Sequence, residues 1–245
     1  MSDSPIEITK YRTFSEFMSE FPSLLFEDRI FKRDAFIFRG HGNEDYQLRS
    51  SFDRAFHSLS LQARVERFNE LEEFLVDELK RIGSKTCNRH EVLGLAQHYG
   101  MPTRLLDWTS SPFIAAYFAF SDRISSSAGA SFVSIWALDR SVESRWKEFG
   151  VEILKLEQGE NPRANRQLGY ATLIRAPFDC LEDFVNHVEG GRTVLWRFDI
   201  CASEAKEAFS FLDSCNTTAT ELFGEYEGAS RTALERLALK YGDHM

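Results

Sequence analysis

Between Ser60 and Ile82 the apolar residues recur at Leu61, Val65, Phe68, Leu71, Leu75, Leu79 and Ile82. Glu66, Glu70, Glu73 and Asp77 fall between them. Spacing of three and four predicts a long helix with one packing stripe and a solvated acidic face. Thr13–Phe21 predicts a short helix, and Ser203–Leu212 and Ala229–Tyr241 predict two more, the last carrying Leu234, Leu237 and Tyr241. A different rhythm runs from Thr193 to Ile200. There Val194, Trp196, Phe198 and Ile200 alternate with Thr193, Leu195, Arg197 and Asp199, the signature of a half-buried strand. Short apolar runs at Ala35–Phe38, Phe132–Leu138 and Gln167–Ile174 predict buried strands, and Ser121–Ala130 reads as a polar surface loop.

The stretch Leu95–Phe120 departs from these simple rhythms by setting Gln97, His98, Arg104, Asp107 and Thr109 into a segment otherwise built for burial. Burying a polar or charged group is costly unless it is paired, so this density implies a paired structural network or a binding site. Val92, Leu95, Ala96 and Tyr99 end a helix over Glu91–Tyr99; Gly100 supplies a left-handed cap and Pro102 forbids continuation. Arg104–Trp108 reads as a strand. Ser111 is a natural N-cap and Pro112 suits the first helical position, so a buried helix is expected over Phe113–Phe120. Asp107, Thr109 and Ser110 would then sit beside the free N–H groups of a helix start, where an anion could bind. The alternative is an ordinary capped helix, with Asp107 paired to Arg104 or another arginine.

The strands are separated by unequal, partly loop-rich connections, which favours an α+β domain over a doubly wound one. We expect a single domain over residues 1–245 with small mixed or antiparallel sheets flanked by helices. A helical lead-in would occupy residues 1–34 and a motif-bearing core residues 35–241. Length permits this: 245 residues can bury a sizeable core, and 22 Phe with 43% hydrophobic content exclude a disordered chain. A net charge of −9 argues against broad attachment to nucleic acid or anionic membrane. A local basic cleft stays open, because Arg39, Arg49, Arg54 and Arg104 could converge. Cys87, Cys180, Cys201 and Cys215 form no CxxC pair, and the N-terminus has no apolar leader. Reduced thiols and a soluble cytoplasmic protein without a membrane span are the expectation.

Three constellations carry candidate chemistry. In Phe38-Arg39-Gly40-His41-Gly42 an arginine ends a buried strand, so its guanidinium could hold a phosphate or carboxylate bidentately. Gly40 and Gly42 would let a ligand approach the backbone. Alternatively, Arg39 is a buried ion-pair partner of Asp107. Asn161–Tyr170 brings Arg163, Arg166 and Gln167 ahead of a strand, as a site or as an exposed basic turn. Glu221–Gly228 carries Glu225 and Glu227 before a helix, where carboxylates also favour the helix dipole without catalysis. Among the six histidines there is no HExxH spacing, so no metal is expected; His98, which ends a helix beside the polar segment, is the one to follow.

These motifs together resemble the FRG domain family, named for Phe-Arg-Gly. Phe38-Arg39-Gly40, Tyr46, Leu48, Ser50-Ser51-Phe52 and Arg54 resemble its first block. Ala96–Gly100, Pro102–Thr109 and Pro112 resemble the second. Arg166, Gln167 and Gly169 resemble a third and Leu222–Gly228 a last one. His41 stands where the family usually has Gln, and Gln47 where it has Pro. The resemblance implies a prokaryotic or phage protein, with some members associated with defence or toxin-like systems. The motif order is also similar, more distantly, to the ADP-ribosyltransferase fold. That comparison implies Arg39 on the phosphate of NAD or a related nucleotide, Thr109 and Gln167 on ribose, and Asp107 orienting an arginine. Gly40, His98, Arg104 and Arg166 would complete the NAD site. Gln167 falls where that fold places a glutamate, and Asp107, Glu225 or Glu227 could supply the missing charge. Three readings follow: transfer of ADP-ribose to a protein or nucleic-acid acceptor, a non-catalytic nucleotide, nucleic-acid or protein recognition module, or a purely structural network of Arg39, Arg104 and Asp107.

Overall fold

The computed structural model describes residues 4–32, 34–83, 88–125, 129–156 and 165–241. Its centre is one sheet of seven strands: β1 (Ile6–Tyr11), β4 (Phe36–His41), β5 (Leu105–Thr109), β6 (Phe132–Asp139), β7 (Val151–Lys155), β8 (Gly169–Ile174) and β9 (Leu195–Cys201). The spatial order is β1-β9-β6-β4-β5-β8-β7. β1 runs parallel to β9, and every other neighbouring pair is antiparallel. β2 (Phe26–Glu27) and β3 (Ile30–Phe31) form a separate hairpin. The α+β class is therefore met by one large sheet with a small hairpin rather than by several small sheets. The lead-in is not purely helical either, because Ile6–Tyr11 supplies the edge strand.

Each face of the sheet carries its own core. On one, the helix Pro112–Ser125 lies across β4 and β6, with Phe14, Phe17, Phe21 and Phe120 buried around it. On the other, Trp108, Trp136, Trp146 and Phe184 are buried together. Full burial of one such ring stabilises by about 1.5–3 kcal/mol, so these two clusters hold the sheet rigid. The contact between β4 and the Pro112–Ser125 helix explains Gly40 and Gly42. A Cβ on Gly40 would overlap the Ala115 carbonyl and lie 2.6 Å from the Ala119 nitrogen; one on Gly42 would lie 2.7 Å from the Arg123 nitrogen. Both glycines admit the backbone of a helix, and Gly40 also lines a cavity together with Arg39 and Thr109.

The helix expected over Ser60–Ile82 forms over Leu61–Arg81, capped by the Ser60 hydroxyl. Its stripe is only partly used: Phe68 is buried, whereas Leu61 and Ile82 are exposed. The packed face also takes in Arg64 and Glu72, and Glu72 accepts both ends of the Arg175 guanidinium at 2.6 and 3.0 Å. β9 departs from simple alternation in the same way. It lies between β1 and β6, so Asp199 is buried and bonded to Ser134 at 2.6 Å and Arg197 at 2.8 Å.

The last helix spans Glu225–Tyr241 and is rotated from the expected face: Glu235 and Ala238 are buried, while Leu234, Leu237 and Tyr241 are exposed. Two contacts fix that rotation. Glu235 accepts hydrogen bonds from Tyr117 at 2.5 Å and Ser121 at 2.8 Å, and Gly228 packs against the Ala219 carbonyl. The three described cysteines, Cys180, Cys201 and Cys215, are free; Cys87 lies outside the described residues. Among the described residues no helix is long and apolar enough to cross a membrane.

Candidate functional site

The polar segment folds as its local signals dictate. Asn88 caps the helix Arg89–His98, and Gly100, at φ 85°, closes it with bonds from Gly100 N to the Gln97 carbonyl and Met101 N to the Ala96 carbonyl. β5 follows, then a tight turn. There the Thr109 hydroxyl accepts from Ser111 N at 3.1 Å and the Ser111 hydroxyl from Ile114 N at 3.3 Å. Two N–H groups at this helix start are thus taken by the turn's own side chains. The start offers an anion less than the sequence suggests.

The opening lies beside that turn instead. β4 and β5 are neighbours, yet they pair at a single position, Phe38 with Thr109. Separated strands leave backbone groups unpaired along their facing edges. One of them, the Asp107 carbonyl, is satisfied by Arg39, whose Nη1 donates to it at 2.6 Å. A cavity of about 1000 Å³ opens at this parting, and Arg39, Arg54, His98, Asp107, Thr109 and Gln167 all line it.

Arg39 is held at two points, because its Nε donates to His41 Nε2 at 2.9 Å and His41 Nδ1 lies 3.3 Å from the Tyr46 carbonyl. Burial works against the Arg39 charge, which the Asp107 carboxylate favours and Arg54 opposes. Arg54 reaches the cavity from the short helix Ser51–Ala55 and donates to the Arg49 carbonyl at 2.6 Å. Arg49 also lines the cavity but is paired with Asp179. Among the described residues neither Arg39 nor Arg54 forms an ion pair with a carboxylate.

The carboxylates that line the cavity are Asp45, Asp107 and Asp122. Asp107 is oriented by Gln97, whose Nε2 donates to both of its oxygens at 2.7 and 2.8 Å; Gln97 Oε1 in turn accepts from Thr103 at 2.6 Å. Asp122 accepts from Gly42 N at 3.0 Å. Gln97 belongs to the polar segment and Arg54 to the arginines expected to converge, whereas Asp122 was not singled out from sequence. The Ser50–Asp53 capping pattern starts the helix bearing Arg54.

Other candidates go elsewhere. Arg104 is fully buried and does not line this cavity: it donates to Asp53 at 3.0 Å and to the carbonyls of Ala176 and Phe178 at 3.1 and 3.0 Å. Its carboxylate partner is Asp53, not Asp107. Arg166 stands outside the cavity with its guanidinium against Gly224, while the adjacent Gln167 lines it, its amide 3.5 Å from the Leu222 carbonyl. Glu225 and Glu227 do not line the cavity, and Glu227 pairs with Arg231 at 3.1 Å, so neither supplies charge there. Of the Asn161–Tyr170 turn, Asn161 and Arg163 lie outside the described residues.

Residues 34–128 match the FRG domain family. The matched span holds the Arg39, His98, Asp107 and Thr109 walls of the cavity, whereas Gln167 lies beyond it. β4 and β5 of the FRG span are flanked in the sheet by β6 and β8, which lie outside it, so the span does not form a closed layer by itself. No curated protein and no solved structure matches the chain.

Proposed function

We propose that the cavity binds NAD or a related nucleotide through its phosphates, and that the protein transfers ADP-ribose from NAD to a protein or nucleic-acid acceptor. One observation carries the binding step: two guanidinium groups, Arg39 and Arg54, line one cavity with no carboxylate ion partner among the described residues. Like charges brought together raise the free energy of each charged form unless an anion compensates them. Two planar forks facing one space suit the bridging diphosphate of a dinucleotide. The volume agrees, since ligand pockets span about 300–1,000 Å³.

For the transfer step, NAD supplies an electrophilic ribose carbon: its bond to the nicotinamide nitrogen breaks, the electron pair leaves with nicotinamide, and the acceptor nucleophile attaches and loses a proton. The chain's own part is electrostatic and positional. Asp107, held by Gln97, sets a negative charge where positive charge grows on the ribose. Thr109 and Gln167 contact its hydroxyls.

A second reading, recognition without turnover, is favoured by Gln167, an amide where the resemblance places a carboxylate. Calorimetric titration with NAD, combined with an assay of nicotinamide release, separates the two. Saturable binding that is lost in Arg39→Met and Arg54→Met, with release of nicotinamide, supports transfer. Saturable binding without release supports recognition. No binding at all overturns both.

A further inference from the structure

We propose that His41 is a positioning residue for Arg39, holding its guanidinium so that the unused N–H groups face the cavity. The inference rests on the anion-binding reading of Arg39. A guanidinium has five N–H donors. Nε–H is taken by His41 Nε2 at 2.9 Å and one Nη1–H by the Asp107 carbonyl at 2.6 Å, which leaves three for a ligand. With both ends tied, the fork is held before a ligand arrives, and little rotamer freedom is left to lose on binding.

The contact requires one tautomer. Nε2 accepts only from a neutral ring with its proton on Nδ1, and Nδ1 faces the Tyr46 carbonyl, an acceptor, at 3.3 Å. A second proton would set an N–H against the N–H of Arg39. The surroundings oppose that proton. His41 is buried, and Arg39 on its own strand, Arg54 from the Ser51–Ala55 helix and Arg197 on β9 are all cationic; against them the Tyr46 carbonyl favours protonation. Burial first, and these charges second, bring its pKa down to about 3. The acceptor therefore persists through neutral and mildly acidic conditions. A glutamine carries the same pair of functions, an acceptor oxygen and an N–H donor, whereas a leucine of similar size carries neither.

Two measurements on the full chain test this. Nitrogen-15 NMR of the histidine rings without ligand should show His41 neutral with its proton on Nδ1, and unchanged down to roughly pH 4.5, well below the ordinary histidine range. An Nε2–H tautomer, or titration near the ordinary value, overturns the proposal. Affinities for NAD and for inorganic pyrophosphate should fall about tenfold or more in His41→Leu and return to within about threefold of wild type in His41→Gln. Equal affinity in His41→Leu and wild type overturns the positioning role and leaves the nucleotide reading intact. Absence of binding in wild type overturns the nucleotide reading, while the NMR result still decides the Arg39–His41 contact.

Discussion

Arg39 and Arg104 are both strand-associated arginines of the segment that matches the FRG family, and replacing each by Met should give opposite results. Arg104 is sealed in the core, where it donates to Asp53 at 3.0 Å and to two backbone carbonyls at 3.0 and 3.1 Å. Removing one partner of a buried pair costs about 3–5 kcal/mol, because the other charge stays behind. Asp53 would keep the Ser50 hydroxyl at 2.6 Å and the Arg64 guanidinium at 3.9 Å, which places the loss toward the lower end, about 3 kcal/mol. That is a large share of the 5–15 kcal/mol typical of a folded domain. With a urea m-value of about 2–3 kcal/mol per M, the unfolding midpoint of Arg104→Met should fall by about 1 M or more. Arg39 lies on the cavity wall, partly solvated, so Arg39→Met should move the midpoint by less than about 0.5 M and abolish NAD binding. Urea titration followed by fluorescence of the four tryptophans, with NAD titration of each folded variant, reads both quantities. Parental stability in Arg104→Met accompanied by lost NAD binding would refute the assignment of structural and binding roles.

Gly40→Ala should be severely destabilising, because the added methyl meets the backbone of the Pro112–Ser125 helix rather than a movable side chain. Overpacking costs about 1–3 kcal/mol, here at the upper end, so a melting temperature lower by roughly 6 °C or more is expected; a shift under about 2 °C would contradict the close approach. Glu235 gives a pH test. Burial, opposed by the hydrogen bonds from Tyr117 and Ser121 and then by Arg231, raises its pKa above the ordinary 4.5, so the folded state holds the proton more tightly than the unfolded one. Its contribution is therefore most favourable at low pH and is lost as pH rises through the raised value. Glu235→Gln, which mimics the protonated form, should become progressively more stable than wild type as pH rises above the ordinary 4.5. Denaturation curves showing a constant or reversed difference would contradict it.

The legibility of this chain follows how local each cause is. The helix, strand and helix from Arg89 to Ser125 were readable because Gly100, Pro102, Ser111 and Pro112 act within a few residues of themselves. The convergence of Arg39, Thr109 and Gln167 on one cavity came from motif order, not from periodicity, and depends on strands distant in sequence being neighbours. What escaped the sequence was set by long-range partners. Glu235 turns the last helix inward by meeting Tyr117, against its own apolar stripe. Asp53 removes Arg104 from the site, and nothing near Arg104 announces that pairing. β1 joins the sheet only because β9, almost two hundred residues away, lies open beside it. Gly40 both admits the helix and lines the cavity, and a missing side chain reads alike in either role.

The central claim is that Arg39 and Arg54 together grip a diphosphate in the opening between β4 and β5. A crystal structure of the protein with NAD tests it most directly. The diphosphate should lie within hydrogen-bonding distance of both guanidinium groups, about 2.7–2.9 Å, with the ribose nearest nicotinamide beside Asp107 and Thr109. NAD bound elsewhere, or an unfilled cavity at saturating NAD, would contradict it.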